Sequence, residues 1–181
     1  MMKRKKIFRC GRLPSEFFNR PTLSVAKELL GKIMVYGKYA GVITETEAYI
    51  GQDDPACHAA RGKTPRNSVM FGPAGVSYVY FIYGMYHCLN FVTEEEGKAA
   101  AVLIRGLMLL EPSQEHLNGP GKLCRHLGIT CEHNGLDLGQ SEFFYVKDSP
   151  LSPPFEATPR IGIRQGQDKL WRFVVKKEKQ K

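Results

Sequence analysis

Glu45 and Glu47, followed by Tyr49, stand at every second position of the stretch "TETEAYIG" (44–51). Successive side chains of a strand point to opposite faces, so an extended chain here puts both carboxylates and the phenol on one face. An ionised Glu47 in an aromatic-walled cleft can orient a water and take its proton, the work of a general base. Burial in such a cleft raises a carboxyl pKa, while a neighbouring arginine lowers it. The same spacing also fits the solvent-facing acids of an edge strand. A third reading groups Glu45, Glu47, Asp53 and Asp54 as oxygen ligands for Mg²⁺, in a metal-dependent nuclease. The alternation followed by "QDDP" matches no recognised metal-ligand spacing, and we expect no metal.

Three further groups bear on chemistry. Tyr78, Tyr80, Tyr83 and Tyr86 form an aromatic run with Phe81 between them. Parity puts Tyr78 and Tyr80 on one face and Phe81 and Tyr83 on the other. Such tyrosines either fill a core rim or stack nucleobases, which contributes about 1–3 kcal/mol per base. Tyr83 precedes Gly84 and Met85, so it stands at a hairpin tip, where a rigid side chain can wedge into a base stack. In "RGKTPRN" the cations Arg61, Lys63 and Arg66 surround a Thr-Pro helix start, which suits phosphate contact or simply a solvated basic loop. Cys124, His126, Cys131 and His133 lack the spacing of a zinc site and are read as helix and loop residues. The zinc-deaminase signature is absent, because Ala59 and Ala60 follow His58 and no Cys-x-x-Cys occurs.

The elements that must hold these residues are legible in outline. "PTLSVAKELLG" reads as a short helix with Leu23, Ala26 and Leu30 on one face and Gly31 as its stop. "KIMVYG" and "YAGVITETEAYI" read as strands joined by a glycine turn, and "GQDDPACHAARGK" as loop. Thr64 and Pro65 suit the N-cap and first position of a helix. "GVSYVYFIYGMYHCLNFV" is a hairpin turning near Gly84, and "AAAVLIRGLMLL" a further strand. "NGPGKLCRHLG" is a glycine-bounded helix start, and "EFFYV", "RIGI" and "LWRFVV" are short β-like pieces. The sum is α+β: one domain over 1–181, a curved and mostly antiparallel sheet with surrounding helices and a protruding β-hairpin, ending in short flexible basic tails.

Composition narrows the partners. The 181 residues carry a formal net charge of +8 and a pI of about 9.3, which favours a polyanion, nucleic acid before membrane. No apolar run approaches the roughly 20 residues of a membrane span. The five scattered cysteines read as reduced thiols, and the chain as intracellular.

The order of these segments carries more than any one of them. "TETEAYIG", "DDPACHAARGKTPRN" with "MFG", "GVSYVYFIYGMYHCLN" and "AVLIRGL", with islands in "NGPGKLCRHLGI", "RIGI" and "LWRF", resemble the alkyladenine (3-methylpurine) DNA glycosylase family. The resemblance implies a monofunctional glycosylase of base excision repair that needs no cofactor and acts as a monomer on double-stranded DNA with damaged purines. It implies that 3-methyladenine, alone or together with 7-methylguanine, hypoxanthine or ethenoadenine, is flipped out and cut from its sugar by a Glu47-activated water. Arg105 would help hold that water, and Tyr49, His58, Tyr80 and Asn90 would form the base pocket. The His58 backbone N–H would read the purine edge, Asn90 would disfavour guanine, and Tyr83 would fill the gap in the duplex. Arg61, Lys63 and Arg66 are candidate phosphate contacts. Glu45 receives no role from the resemblance, so it supports the site or is solvated. Three departures stand out: the acidic "TEEEGK" around Glu94, Glu95 and Glu96, expected to turn away from DNA; His87, where the family often has an aromatic; and Cys57, a thiol expected near the pocket.

Overall fold

The computed structural model describes residues 11–51 and 53–176. The expected fraying of the basic tails, and Cys10, lie outside the described residues. Among the described residues nine strands form one sheet with antiparallel pairings: β1 Ile33–Tyr36, β2 Tyr39–Ile50, β3 Ser77–Ile82, β4 Tyr86–Val92, β5 Ala100–Glu111, β6 Glu115–Asn118, β7 Phe144–Lys147, β8 Phe155–Thr158 and β9 Arg172–Val175. Three short helices, α1 Ser15–Phe18, α2 Thr22–Glu28 and α3 Pro120–Leu127, complete an α+β domain with a curled sheet.

The spine is the pair β2 and β5, twelve residues each. Each spine strand changes partner part-way along its free edge. β2 pairs with β1 through Tyr39–Val42 and with β9 through Glu45–Glu47. β5 pairs with β6 through Gly106–Leu109 and with β4 through Ala101–Leu103. Both changeovers coincide with irregularities in the β2–β5 register. Ile43 opposes Leu107 and Glu45 opposes Gly106, which makes Thr44 an extra residue on β2; Thr46 opposes Ile104, which makes Arg105 an extra residue on β5. Bulges of this kind bend a strand and re-aim side chains. Here they split the sheet where the acidic stretch lies. Gly106 is required beside the bulge, because a Cβ there would come within 2.7 Å of Thr44 Oγ1 and 2.9 Å of Glu45 Cβ.

Helix α2 packs on the spine, burying Val25, Ala26 and Leu29 with Ile43, Ile104 and Leu107 in the main core. Its buried face centres on Val25 and Leu29, and Leu23 is only partly covered. A smaller cluster of Cys57, Ala59, Met70, Tyr78, Val92 and Ala101 lies against Tyr49 and Tyr80. α3 begins with Pro120 after Gly119 and stops at Gly128 with φ +73°, as its glycine-bounded sequence requires.

Two local expectations change. Thr64–Pro65 begins a turn, and the helical turn, a 3₁₀ one, starts at Ser68. Asn67 closes that turn by accepting from the Thr64 N–H, which takes the capping position three residues later than expected. "RIGI" (160–163) is an irregular loop and not a strand, because Arg160 is drawn inward to a buried partner.

Candidate active site

Glu47 is completely buried at the split in the sheet. Its Oε2 accepts from the Tyr49 hydroxyl at 2.7 Å, and its Oε1 accepts from the Ile161 N–H at 2.8 Å. Arg105 Nε lies 3.5 Å from Oε1. Burial raises the carboxyl above its ordinary pKa, more than Arg105 and the two hydrogen bonds lower it, and Glu45 adds to the rise. The carboxylate is therefore a stronger base than one in water, and it is held in one orientation. Glu45 is not solvated: it is 6% exposed, and its Oε1 accepts from Arg105 Nε at 3.0 Å and Arg172 Nε at 2.6 Å.

The three partners of Glu47 (Tyr49, Ile161 and Arg105) line a cavity of about 790 Å³, which His58, Tyr80 and Asn90 also line, while Glu47 itself lies behind them. Residues as far apart in sequence as Tyr49 and Arg105 meet here because β3, β4, β5 and β2 are successive neighbours in the sheet, and the loop 53–67 brings His58 against Tyr78 and Tyr80. His58 is fixed against the aromatic strand: Nδ1 lies 3.0 Å from the Tyr78 hydroxyl, and its ring meets Tyr80 edge-on at 4.4 Å. Partial burial, and then the Arg66 cation, push its pKa below the usual imidazole value, so it is neutral at neutral pH. Burial raises all three phenols, Tyr78 to about 12, and Tyr49 and Tyr80 well above the ordinary phenol value, so all three keep their protons. Asn90 donates from Nδ2 to the carbonyls of Tyr78 (3.1 Å) and Cys88 (3.4 Å), which fixes its amide.

At the mouth, Tyr83 is 75% exposed on the turn between β3 and β4, beside the exposed Met85. Tyr83 and Gly84 both have left-handed backbones, with φ of +54° and +66°. Of the three loop cations only Arg61 lines the cavity. Arg66 donates to the Phe81 carbonyl at 3.0 Å and lies over the Tyr80 ring, bracing the hairpin; Lys63 lies near the Phe71 ring. His87 packs against Phe81 across the hairpin at 4.8 Å, in the place of an aromatic pair.

Residues 16–179 match the family model described as methylpurine-DNA glycosylase. The chain belongs to the methylpurine-DNA glycosylase family. It is 63% identical over 163 residues to a Wolbachia protein of Brugia malayi named as a 3-methyladenine DNA glycosylase, covering 90% of this chain and 96% of that one. Proteins of the same name from Rickettsia felis and Sodalis glossinidius are 60% and 63% identical, over 90% and 89% of this chain and 92% and 95% of theirs. Membership makes the protein a DNA glycosylase with DNA as its substrate.

One neighbour of this candidate site escapes sequence reasoning. Arg160 is 4% exposed and pairs with the fully buried Asp54 through both terminal nitrogens, at 2.5 and 2.7 Å. It also donates to the Ala48 carbonyl at 2.9 Å, and its guanidinium lies between the Tyr49 and Trp171 rings, 4.7 and 5.1 Å from their centroids. The next residue, Ile161, supplies the N–H on Glu47. Asp54 is thereby committed to an arginine. The thiol expectation also changes: Cys57 is buried with its pKa pushed up to about 11, and Cys88 lines the cavity with a raised pKa, so neither is a ready thiolate. In the acidic segment, Glu94 accepts from the Thr22 N–H at 3.1 Å at the start of α2, and Glu95 pairs with Lys98. No helix among the described residues is long and apolar enough to cross a membrane.

Proposed function

We propose that the protein removes alkylated purines, 3-methyladenine foremost, from duplex DNA by hydrolysis with Glu47 as the general base. The observation that carries this reading is a fully buried carboxylate of raised pKa whose partners Tyr49, Ile161 and Arg105 line an aromatic cavity. A base in a duplex is shielded by stacking, so it must be extruded first at a cost of a few kcal/mol, smallest for a damaged base. Tyr83 fills the gap, and Tyr49, His58 and Tyr80 enclose the extruded purine. A water held by Glu47 and Arg105 attacks the sugar C1′. The new C1′–O bond forms as the C1′–N bond breaks, the water's proton passes to Glu47, and the bonding electron pair leaves with the purine. A methylated purine already carries positive charge and departs neutral without further protonation. Cation–π attraction adds roughly 0.5–2 kcal/mol for such a base against the electron-rich rings.

Attack by water leaves an abasic site. Trapping of a covalent protein–DNA adduct by borohydride would contradict this and point to an amine such as Lys122, which lines the cavity. The protein is read as intracellular and monomeric on DNA.

The deciding experiment incubates wild type and Glu47→Gln, in EDTA, with methylated DNA and with a labelled duplex carrying one hypoxanthine. Abasic sites are revealed by alkaline cleavage. Wild-type cleavage that Glu47→Gln reduces by about 10²–10⁴-fold is expected. Undiminished cleavage by the variant would remove Glu47 from the centre of the reaction, and loss of wild-type activity in EDTA would restore the metal reading.

A further inference from the structure

Glu45 takes no part in the chemistry just described, yet both nearby arginines approach it more closely than they approach Glu47. Its Oε1 accepts from Arg105 Nε on β5 at 3.0 Å and from Arg172 Nε on β9 at 2.6 Å. Arg172 is fixed in turn by its Nη1 on Thr158 Oγ1 at 3.0 Å. The bulge that frees Arg105 from the β2–β5 ladder, and the glycine after it, bring this one nitrogen between two carboxylates. Among the described residues every side-chain hydrogen bond of Arg105 runs through Nε to Glu45, and the same side chain lines the cavity.

We propose that Glu45 is a positioning residue for base excision: it holds Arg105 by Nε and takes up the charge of Arg105 and Arg172, so that Glu47 stays available to the water. The proposal rests on the reading of Glu47 as the general base. A carboxylate tightly paired with arginine is a weak proton acceptor, because the cation favours its ionised form and occupies its lone pairs. Glu47 already accepts two hydrogen bonds, so a close contact with Arg105 would leave little room for water. Glu45 and Glu47 against Arg105 and Arg172 make the cluster neutral; without Glu45 it carries one positive charge. The other groups facing Glu47 are the Tyr49 phenol and the Cys88 thiol, both protonated, and Arg160, which Asp54 neutralises.

A plain structural staple between β2, β5 and β9 would make the same contacts, so the test must read charge. Release of methylpurine from freshly methylated DNA is measured under single turnover as a function of pH, for wild type, Glu45→Gln, Arg172→Gln and Glu47→Gln. The cationic lesion needs no proton to leave, so the acid limb reports the base alone. Glu45→Gln keeps an acceptor but removes a negative charge, and its acid limb should move to lower pH. Arg172→Gln removes a positive charge from the same contact, and its limb should move to higher pH. Each shift should change the rate relative to its own plateau by about threefold at a fixed acid pH, half a pH unit. Opposite shifts from two variants that break one contact support the proposal. Unmoved limbs, or shifts of one sign, overturn it whatever happens to the plateau. Should Glu45→Gln fail to fold, Arg172→Gln still decides by the direction of its limb. An active Glu47→Gln defeats the general-base reading itself, whereas an inactive one with unmoved limbs in the other variants defeats only the role of Glu45.

Discussion

Glu47 is folded into a place that opposes its charge, and that opposition has a sign. Its pKa in the folded protein lies above the unfolded value, so the folded state binds the proton more tightly. The stability this contributes is fully present below the unfolded pKa and is lost as pH rises through the folded one. At neutral pH the ionised carboxylate is therefore a net cost, and Glu47→Gln should raise the thermal midpoint while lowering base release by about 10²–10⁴-fold. A lower midpoint would mean that the Tyr49, Ile161 and Arg105 contacts outweigh burial. Activity should run the other way: with Glu47 as the proposed general base, excision is expected to fall as pH drops through its raised pKa, which a pH–rate profile checks. The remaining pocket groups bear on lesion choice. His58 is neutral and the tyrosines keep their protons at neutral pH, so no strong acid faces the departing purine. Methylpurines should leave faster than hypoxanthine by tenfold or more, a difference of about 1.4 kcal/mol in barrier. Equal rates under single turnover would show that a proton reaches the neutral base by another route.

At the scale of elements, the β3–β4 hairpin separates stability from function. Tyr83 is exposed and pays for a left-handed backbone that glycine adopts freely. Tyr83→Gly should leave the free energy of unfolding unchanged or higher, by up to about 1 kcal/mol, and lower excision from duplex DNA at least tenfold. Excision from single-stranded DNA, which has no gap to fill, should fall less. The loop carrying Ile161 depends on the buried pair of Asp54 and Arg160. Arg160→Leu leaves Asp54 buried and alone, a loss of about 3–5 kcal/mol, and Asp54→Asn with Arg160→Leu should be less destabilised than Arg160→Leu by itself. What the sequence made legible follows from range. Glu45, Glu47 and Tyr49 were readable because strand alternation is local, and Tyr83 because Gly84 marks a turn. The bulges at Thr44 and Arg105 have no local signature, since each exists only through its partner strand. Arg160 was hidden for the same reason: its counter-ion lies 106 positions away, and "RIGI" by itself has the composition of a strand. Thr64 misled because its hydroxyl and Asn67 close a turn as readily as a helix cap.

Over the whole molecule, a net charge of +8 meets a cavity lined at its mouth by the exposed Tyr83 and the cation Arg61. The charge is unevenly spent. Arg105, Arg160 and Arg172 are neutralised inside the fold, and Arg66 braces the hairpin. Attraction to phosphate must come from exposed cations, of which Arg61, Lys122 and Arg164 line the cavity. Against it stands the acidic segment, and its contacts say which way it faces. Glu94 serves the start of α2, which packs on the core side of the spine, and Glu95 holds Lys98; neither lines the cavity. These observations lead to one salt titration. The slope of log affinity for duplex DNA against log salt falls by about 0.9 for each phosphate contact removed. Arg61→Gln should lower the affinity and flatten the slope by that amount. Glu95→Gln with Glu96→Gln should alter neither, because charges more than about 10 Å from the phosphates are screened at 0.1 M salt. Glu94 is left in place in that variant, since removing its bond to Thr22 would cost about 1 kcal/mol of helix capping and confuse binding with folding. A slope that changes when Glu95 and Glu96 are neutralised would put the acidic segment on the DNA face.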